Sequence, residues 1–298
     1  MPLRDFIGPI ELLHEQAGPR LLRLARLGIF SLWIVKLLLD PLWRLVEMPR
    51  EMFSPVGILN LFPAGLLDTM MTPAGLTVLL VLSIISSALC LTDRAFALTA
   101  TVAAFFLTVY SSVIRCFGPA VHTDVVLLLA VYVLAGFAWA DLIAGKKGPK
   151  WGAWSSYPLF TIAVLLCLSY CLVGFNRALV GGPRLFLGDT MEVWAIDASL
   201  RGYYFNTNVG WHTPEWPVVA LMLKLGLPVV TLFEMGAPVC LVSPRFRLIF
   251  IPVMLSFHAL SLVFMNIFFF DDMLLYLLLI DWSRYYPGLR AFRQPSAS

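Results

Sequence analysis

Charge is what this sequence has least of. Only 13% of its 298 residues are Asp, Glu, Lys or Arg, about half the roughly 25% of an ordinary soluble domain. By contrast 60% are hydrophobic, and the mean hydropathy is +0.85. A chain this poor in charge cannot clothe itself in solvated side chains, so the composition points to a bilayer. The basic excess is also slight, 21 Lys and Arg against 18 Asp and Glu, which leaves no phosphate-neutralising surface and excludes nucleic acid as a partner. The five cysteines (Cys90, Cys116, Cys167, Cys171 and Cys240) show neither metal-ligand spacing nor a dense disulfide pattern. Cys167 and Cys171 share a helix face, but small polarizable residues are ordinary packing inside membrane helices. There is no HExxH, CxxC, P-loop, GxGxxG or GxSxG, which removes the usual metalloprotease, thiol-oxidoreductase, nucleotide-binding and serine-hydrolase routes. No cleavable signal peptide is expected either, because Arg4, Asp5, Glu11, Glu15 and Arg20 precede the first long apolar run.

What is present is a succession of apolar runs. Crossing roughly 30 Å of hydrocarbon takes about 20 helical residues, and runs of that order lie near 21–40, 74–91, 95–113, 122–140, 158–179, 217–241, 246–264 and 266–282. The expectation is an all-α, polytopic transmembrane bundle of about eight spans in a single domain, with both termini on one side. That side then holds Arg4, Arg20, Arg23, Arg26, Arg94, Lys146, Lys147, Lys150, Arg245, Arg247, Arg284, Arg290 and Arg293. The other side holds only Arg44, Arg50, Arg115, Arg184 and Arg201. The imbalance places both termini in the cytoplasm, and a bacterial inner membrane is the expected location. Two outer segments exceed a connecting loop. Residues 41–73, punctuated by Pro55, Pro63 and Pro73, read equally as an interfacial or re-entrant piece and as an apolar loop. Residues 180–216, rich in Trp, Tyr and acidic side chains, read as a short amphipathic helix and a capping loop. An aromatic belt at the headgroups accounts for the same rings.

Ionisable groups inside hydrocarbon cost on the order of 2.5–3.5 kcal/mol, so each needs a partner, a cavity or an escape. His122 and Asp124 fall at the outer end of the fourth run, Asn176 and Arg177 at the outer end of the fifth. Lys224 falls in the outer half of the sixth, and Asn266, Asp271 and Asp272 in that of the eighth. Tyr170, Gly174 and Arg177 stand at i, i+4 and i+7 and share one helix face, where the glycine admits a close neighbour. Arg177 either lines a site on that face or snorkels to the headgroups. Lys36 precedes Asp40 by four residues, the spacing of an intrahelical ion pair. Glu234 lies too deep to escape and is either protonated by desolvation or paired with an arginine. His258, midway along the seventh run, is either a hydrogen-bonded core histidine or a proton-transfer group. The candidate catalytic residues are therefore His122, Arg177 and His258, with Asp124, Tyr170, Asn176 and Glu234 as substrate-binding candidates and no metal site.

Three stretches, in order, carry a family resemblance: VHTDVVLLLAVYVLA at 121–135, YCLVGFNRALVGGPRLFLGDTMEVW at 170–194, and FEMGAPVCLVSPRFRLIFIPVMLSFHALSLVFMNIFFFDDMLLY at 233–276. With the first helix, LARLGIFSLWIVKLLLD, they resemble the membrane domain of the vitamin K-dependent gamma-glutamyl carboxylase-like (HTTM) family over most of the chain. In the carboxylases a lysine in the segment similar to Tyr170–Leu179 is the base that engages reduced vitamin K. Here that stretch reads Phe175-Asn176-Arg177-Ala178, and an arginine stays protonated at ordinary pH. The resemblance thus implies the fold, while two departures from the family, this arginine and the expected lack of a large extramembrane domain after the last span, set gamma-carboxylation aside. Short members of the family include a component that helps mature a secreted bacterial peptide toxin, which implies a peptide or lipid-like substrate. Two alternatives stand beside that: a non-catalytic accessory or scaffold subunit of a membrane complex, and a quinol-coupled oxidoreductase with a histidine base and a quinone as cofactor. Expected partners are membrane lipids, a small peptide or a membrane subunit.

Overall fold

The computed structural model describes residues 11–39, 42–117, 124–145, 156–201, 209–265, 267 and 269–290. Their regular structure is helical, apart from an isolated antiparallel bridge between Ala17 and Arg290. Five helices are long and apolar enough to cross a membrane: Phe96–Arg115, Val125–Ala144, Ser156–Pro183, Pro217–Leu241 and Pro244–Met265. A sixth candidate is a helix pair, Ala64–Met70 and Pro73–Leu89, bent by 83°. The chain forms two compact units, one of Gln16–Ile162 with Trp282–Ser298, the other of Met1–Glu15 with Ala163–Asp281.

The first unit is built on α1 (Pro19–Leu39), α2 (Ala64–Met70), α3 (Pro73–Leu89), α4 (Phe96–Arg115) and α5 (Val125–Ala144). Four basic residues, Arg20, Arg23, Arg26 and Lys36, set α1 apart from the five apolar helices. Arg26 is nonetheless buried. Its guanidinium donates to Asp93 at 2.5 Å and lies 4.5 Å over the Phe96 ring, where a cation is attracted by the π face. Further along α1, Trp33 meets Tyr110 edge-on and donates Nε1–H to the Leu127 carbonyl at 3.3 Å. α1 therefore runs from the Phe96 end of α4 toward the Leu127 end of α5. α4 and α5 are joined by Trp139 donating to Thr101 (2.8 Å) and by a hydroxyl pair between Thr108 and Tyr132 (2.6 Å). Lys36 is buried as well; its expected partner Asp40 lies outside the described residues.

The segment expected to be interfacial or re-entrant contains 3-10 turns at Leu42–Glu47, Arg50–Met52 and Gly57–Leu61, and then α2. The sharp corner into α3 is local chemistry. Thr72 caps α3 by accepting from the Gly75 amide at 3.1 Å, with Pro73 at the first helical position. A Cβ on Gly75 would stand 2.4 Å from the Thr69 carbonyl, so a larger residue would open the bend.

The second unit contains most of α6 (Ser156–Leu187), α7 (Thr190–Arg201), α8 (Pro217–Gly236), α9 (Pro244–Met265) and α10 (Phe270–Leu275). α6 breaks at Gly182, whose φ of 55° and ψ of −162° suit only glycine, one residue before Pro183. The stretch expected to be a capping loop contains α7 and a 3-10 turn at Val209–Glu215. α7 buries Met191, Ala195 and Ala198 with Leu223, Leu227 and Met265 of α8 and α9. Trp194 and Trp211 are exposed, while Tyr203 and Tyr204 lie outside the described residues. The run at 266–282 differs from the single helix expected. α10 has six residues, about 9 Å of rise, followed by a 3-10 turn at Tyr276–Leu279 and extended backbone at Ile280. Asp271 and Asp272 in its first turn suit a helix N-terminus, so the chain starts a new helix within the apolar run.

The N-terminal segment of this unit is held by backbone bonds. Glu11 N–H donates to Val242 at 3.0 Å, Leu13 N–H to Leu241 at 2.9 Å, and the His14 ring bonds the Leu278 carbonyl at 2.7 Å. His14 is buried in a left-handed conformation (φ 63°), and its Nδ1 has no hydrogen-bond partner among the described residues. Burial holds the imidazole below its ordinary pKa; Arg247 adds to this, and the Leu278 carbonyl and Asp281 oppose it. Docking therefore selects the neutral ring. Its contribution is complete above the unfolded value of about 6.5 and is lost as pH falls from there through the depressed one. Hydrogen-exchange protection at Glu11 and Leu13, corrected for intrinsic rates, should drop below pH 6.5 in the native chain and lose that dependence in His14→Gln; an unchanged profile in the variant would remove His14 as the cause.

Candidate functional site

The polar groups of the second unit are set by one face of α6. Tyr170, Gly174 and Arg177 stand on it at i, i+4 and i+7, and all three are used against neighbouring helices. At Gly174 a Cβ would lie 2.7 Å from the Met235 amide nitrogen and 2.9 Å from Glu234 Cβ. α6 and α8 are thus in backbone contact, as small residues allow between membrane helices. Cys171 beside it donates to the Met235 carbonyl at 3.4 Å.

That approach brings Arg177 onto Glu234. Arg177 Nη1 lies 2.5 Å from Glu234 Oε2 and 3.4 Å from Thr231 Oγ1. The Glu234 side chain is 2% exposed and that of Arg177 18%. Of the alternatives for Glu234, the paired one holds: Arg177 turns inward and supplies the arginine. Thr231 stands one helical turn before Glu234 and returns its own hydroxyl proton to the Leu227 carbonyl at 2.8 Å.

Seven residues earlier on α6, about 10 Å along the axis, lies the second cluster. Two tyrosine hydroxyls converge on one nitrogen of His258: Tyr276 at 2.8 Å and Tyr170 at 3.2 Å, both to Nε2. His258 is buried, and its Nδ1 is also buried with no partner among the described residues. Phe257, Phe269 and Phe250 wall the group, with ring centroids 5.3 Å from His258, 4.9 Å from His258 and 6.3 Å from Tyr170 respectively. A neutral imidazole has one donor and one acceptor. Nε2 can accept from one phenol or donate to it, and the two hydroxyls offer a proton route onto and off the ring. No group of three or more metal-capable side chains converges among the described residues.

The expected site residues separate into groups. Tyr170 meets His258, and Arg177 meets Glu234. Asn176 is exposed on α6, one position off the packed face. Asp124 belongs to the first unit, where Arg115 pairs with its carboxylate and the Ser111 hydroxyl donates to it; Arg115 also donates to the Ser111 carbonyl at 2.9 Å. His122 and Asn266 lie outside the described residues. Lys224 reaches Asp189 at 3.6 Å, and Asp271 is buried. Tyr276 escaped the sequence reading, although it closes the very stretch that carries the resemblance. Thr231, i−3 from an acid on a helix, was the more discoverable omission.

A charge stranded in a protein interior costs about 3–5 kcal/mol when its partner is removed. Arg177→Met and Glu234→Leu should each lower the unfolding stability of the purified chain in detergent by that order, and the double variant should regain most of the loss. Thermal unfolding of the four proteins measures the coupling, and simple addition of the two losses would contradict the pairing.

No family model, no curated protein and no solved structure matches this chain.

Proposed function

We propose that this chain is a multi-pass membrane protein of the vitamin K-dependent carboxylase-like (HTTM) type. In this reading it handles a peptide or lipid-like substrate at an intramembrane site centred on His258, without gamma-carboxylation. The observation that carries the reading is the convergence of the Tyr170 and Tyr276 hydroxyls on His258 Nε2 within an aromatic enclosure. Such an arrangement spends two phenols on a single imidazole nitrogen and leaves the other without a partner among the described residues. A histidine whose protons can move along a hydroxyl pair is suited to general acid–base work. Arg177 is not the base: it is cationic and committed to Glu234. Its role is to hold α6 against α8 and so to position Tyr170.

Topology supports the same assignment. The Gly18 amide donates to the Leu289 carbonyl at 2.7 Å, next to the Ala17–Arg290 bridge. Two backbones that bond each other cannot lie on opposite faces of a bilayer, so the number of crossings between them is even. Five apolar helices are odd, and at least one more segment crosses. The bent α2–α3 pair brings the number to six; the expected runs at 21–40 and 266–282 would make it eight. Both ends then share the arginine-rich, cytoplasmic side, with a bacterial inner membrane as the setting.

The paired charges also favour a second reading, an accessory subunit whose polar groups fasten helices together. Purification in mild detergent, followed by mass spectrometry of co-purifying compounds and proteins, distinguishes the two. Native chain should retain a peptide or lipid-like compound that His258→Phe loses by tenfold or more. An identical profile in both, together with a stoichiometric protein partner, would overturn the catalytic reading; a quinone lost only from the variant would identify the substrate as a quinol.

A further inference from the structure

The face of α6 that carries Tyr170, Gly174 and Arg177 extends one turn further back. Cys167 stands seven residues before Gly174, and two helical turns return it to the same side of the helix. α6 and α8 run antiparallel along this face: Arg177 meets Glu234, Gly174 abuts the Met235 amide, and the Cys171 thiol donates to the Met235 carbonyl. From Gly174 back to Cys167 is about 10 Å of helical rise. From Met235 onward to Cys240 the chain passes into the 3-10 turn Ala237–Leu241 and covers about 9 Å. The two cysteines therefore come level, and they do meet: the Cys240 and Cys167 side chains share a hydrogen bond. Both are buried, and both are free thiols.

Distance decides which cysteines can be joined. A disulfide needs Cβ atoms roughly 3.5–4.5 Å apart. Cys167 and Cys171 lie on one helix, where Cβ atoms four residues apart are separated by about 5–6 Å, and the Cys171 thiol is already directed at the Met235 carbonyl. Cys90 and Cys116 belong to the first unit, where Cys116 donates to the Ser112 carbonyl at 3.1 Å. Cys167 and Cys240 instead face each other across a glycine crossing. A Cβ on Gly174 would fall 2.7 Å from the opposite backbone nitrogen, so the two backbones run close enough for facing sulfurs to bond. The lack of a CxxC motif has no bearing on this pair. Its members are 73 residues apart in sequence, and the fold supplies the proximity that such a motif supplies locally.

We propose that Cys167 and Cys240 are a redox pair, a dithiol that a peroxide converts reversibly into a disulfide joining α6 to the turn after α8. The proposal goes beyond the His258 reading and does not depend on it. Hydrogen peroxide suits the place, being uncharged and hardly larger than water. One sulfur attacks a peroxide oxygen, the O–O bond breaks, and the thiol becomes a sulfenic acid while its proton leaves with the other oxygen as water. The second sulfur attacks the first, the S–O bond breaks as the S–S bond forms, and the remaining thiol proton leaves in a second water. Two thiols give up two electrons, and one peroxide becomes two waters. A dithiol reductant restores the pair by thiol–disulfide exchange. The bond would hold α6 to that turn three residues from Tyr170. Cys240 is also close enough to Tyr276 for a charge on one to act on the other.

The test is treatment of the full chain in phosphatidylcholine vesicles with hydrogen peroxide, followed by alkylation of the remaining thiols in denaturant and peptide mapping by mass spectrometry. A cross-link between the Cys167 and Cys240 peptides should exceed every other pairing by tenfold or more and should disappear with dithiothreitol. Cys171→Ser should leave it unchanged. Cys167→Ser should leave Cys240 alkylated as a thiol, and Cys240→Ser should do the same for Cys167. His258→Phe should form the bond as the native chain does, so failure of the His258 reading leaves this result intact. Recovery of both cysteines as alkylated thiols, at a peroxide dose that converts the exposed Met222 to its sulfoxide, would overturn the proposal. So would a bond to Cys171 in place of Cys167, or a link formed only between two chains.

Discussion

The fold depends on one constraint: a charge placed among apolar helices must be neutralised inside the bundle. Hydrocarbon offers no hydration, and a bare ionised group there costs more than any single packing contact returns. The Arg177–Glu234 pair is the clearest case, with the carboxylate almost wholly enclosed. Arg115 with Asp124 repeats the solution in the other unit, and Arg26 combines Asp93 with the face of Phe96. Uncharged polar groups follow the same rule on a smaller scale. Ser83, Thr101, Thr108, Thr231 and Ser261 each donate to the carbonyl four residues earlier, which satisfies the hydroxyl without help from another helix.

Neutralisation in pairs has a geometric consequence. The Arg177 guanidinium meets Glu234 where the backbones of α6 and α8 almost touch, an approach that Gly174 allows. The same approach fixes the rotation of α6 and therefore the direction of Tyr170, one turn away on the same face. The ion pair and the histidine cluster are parts of a single arrangement, in which the charged part supplies position and the neutral part retains a movable proton. Buried ionic groups often contribute more to specificity of packing than to net stability, and here the specificity is expressed as the aim of one phenol.

The helical class and most helix positions were legible because they depend on local chemistry. The run expected at 95–113 is Phe96–Arg115, and those at 122–140 and 246–264 are Val125–Ala144 and Pro244–Met265. Length and hydropathy alone determine such segments. The shared face of Tyr170, Gly174 and Arg177 was legible for the same reason, through the 3.6-residue period. Partners were not. Glu234 is 57 residues from Arg177, and Tyr276 is 18 from His258 on a later helical segment; nothing in either local sequence specifies the other. For Asp124, too, the partner was not named by the sequence reading. It is Arg115, nine residues earlier. The run ending at 282 misled because continuous hydropathy does not report where a helix restarts, and the paired acids Asp271 and Asp272, placed by the sequence in the outer half of that run, form the first turn of α10.

The most direct test is the distance between Arg177 and Glu234 in a bilayer. Solid-state NMR on the chain in lipid, with guanidinium nitrogen and carboxyl carbon labelled, should return a separation of roughly 4 Å or less, as a charge-assisted hydrogen bond requires. A separation beyond about 6 Å, with the Arg177 side chain at the headgroups, would mean that charge escapes to the interface rather than being neutralised within, and would contradict the account from its base upward.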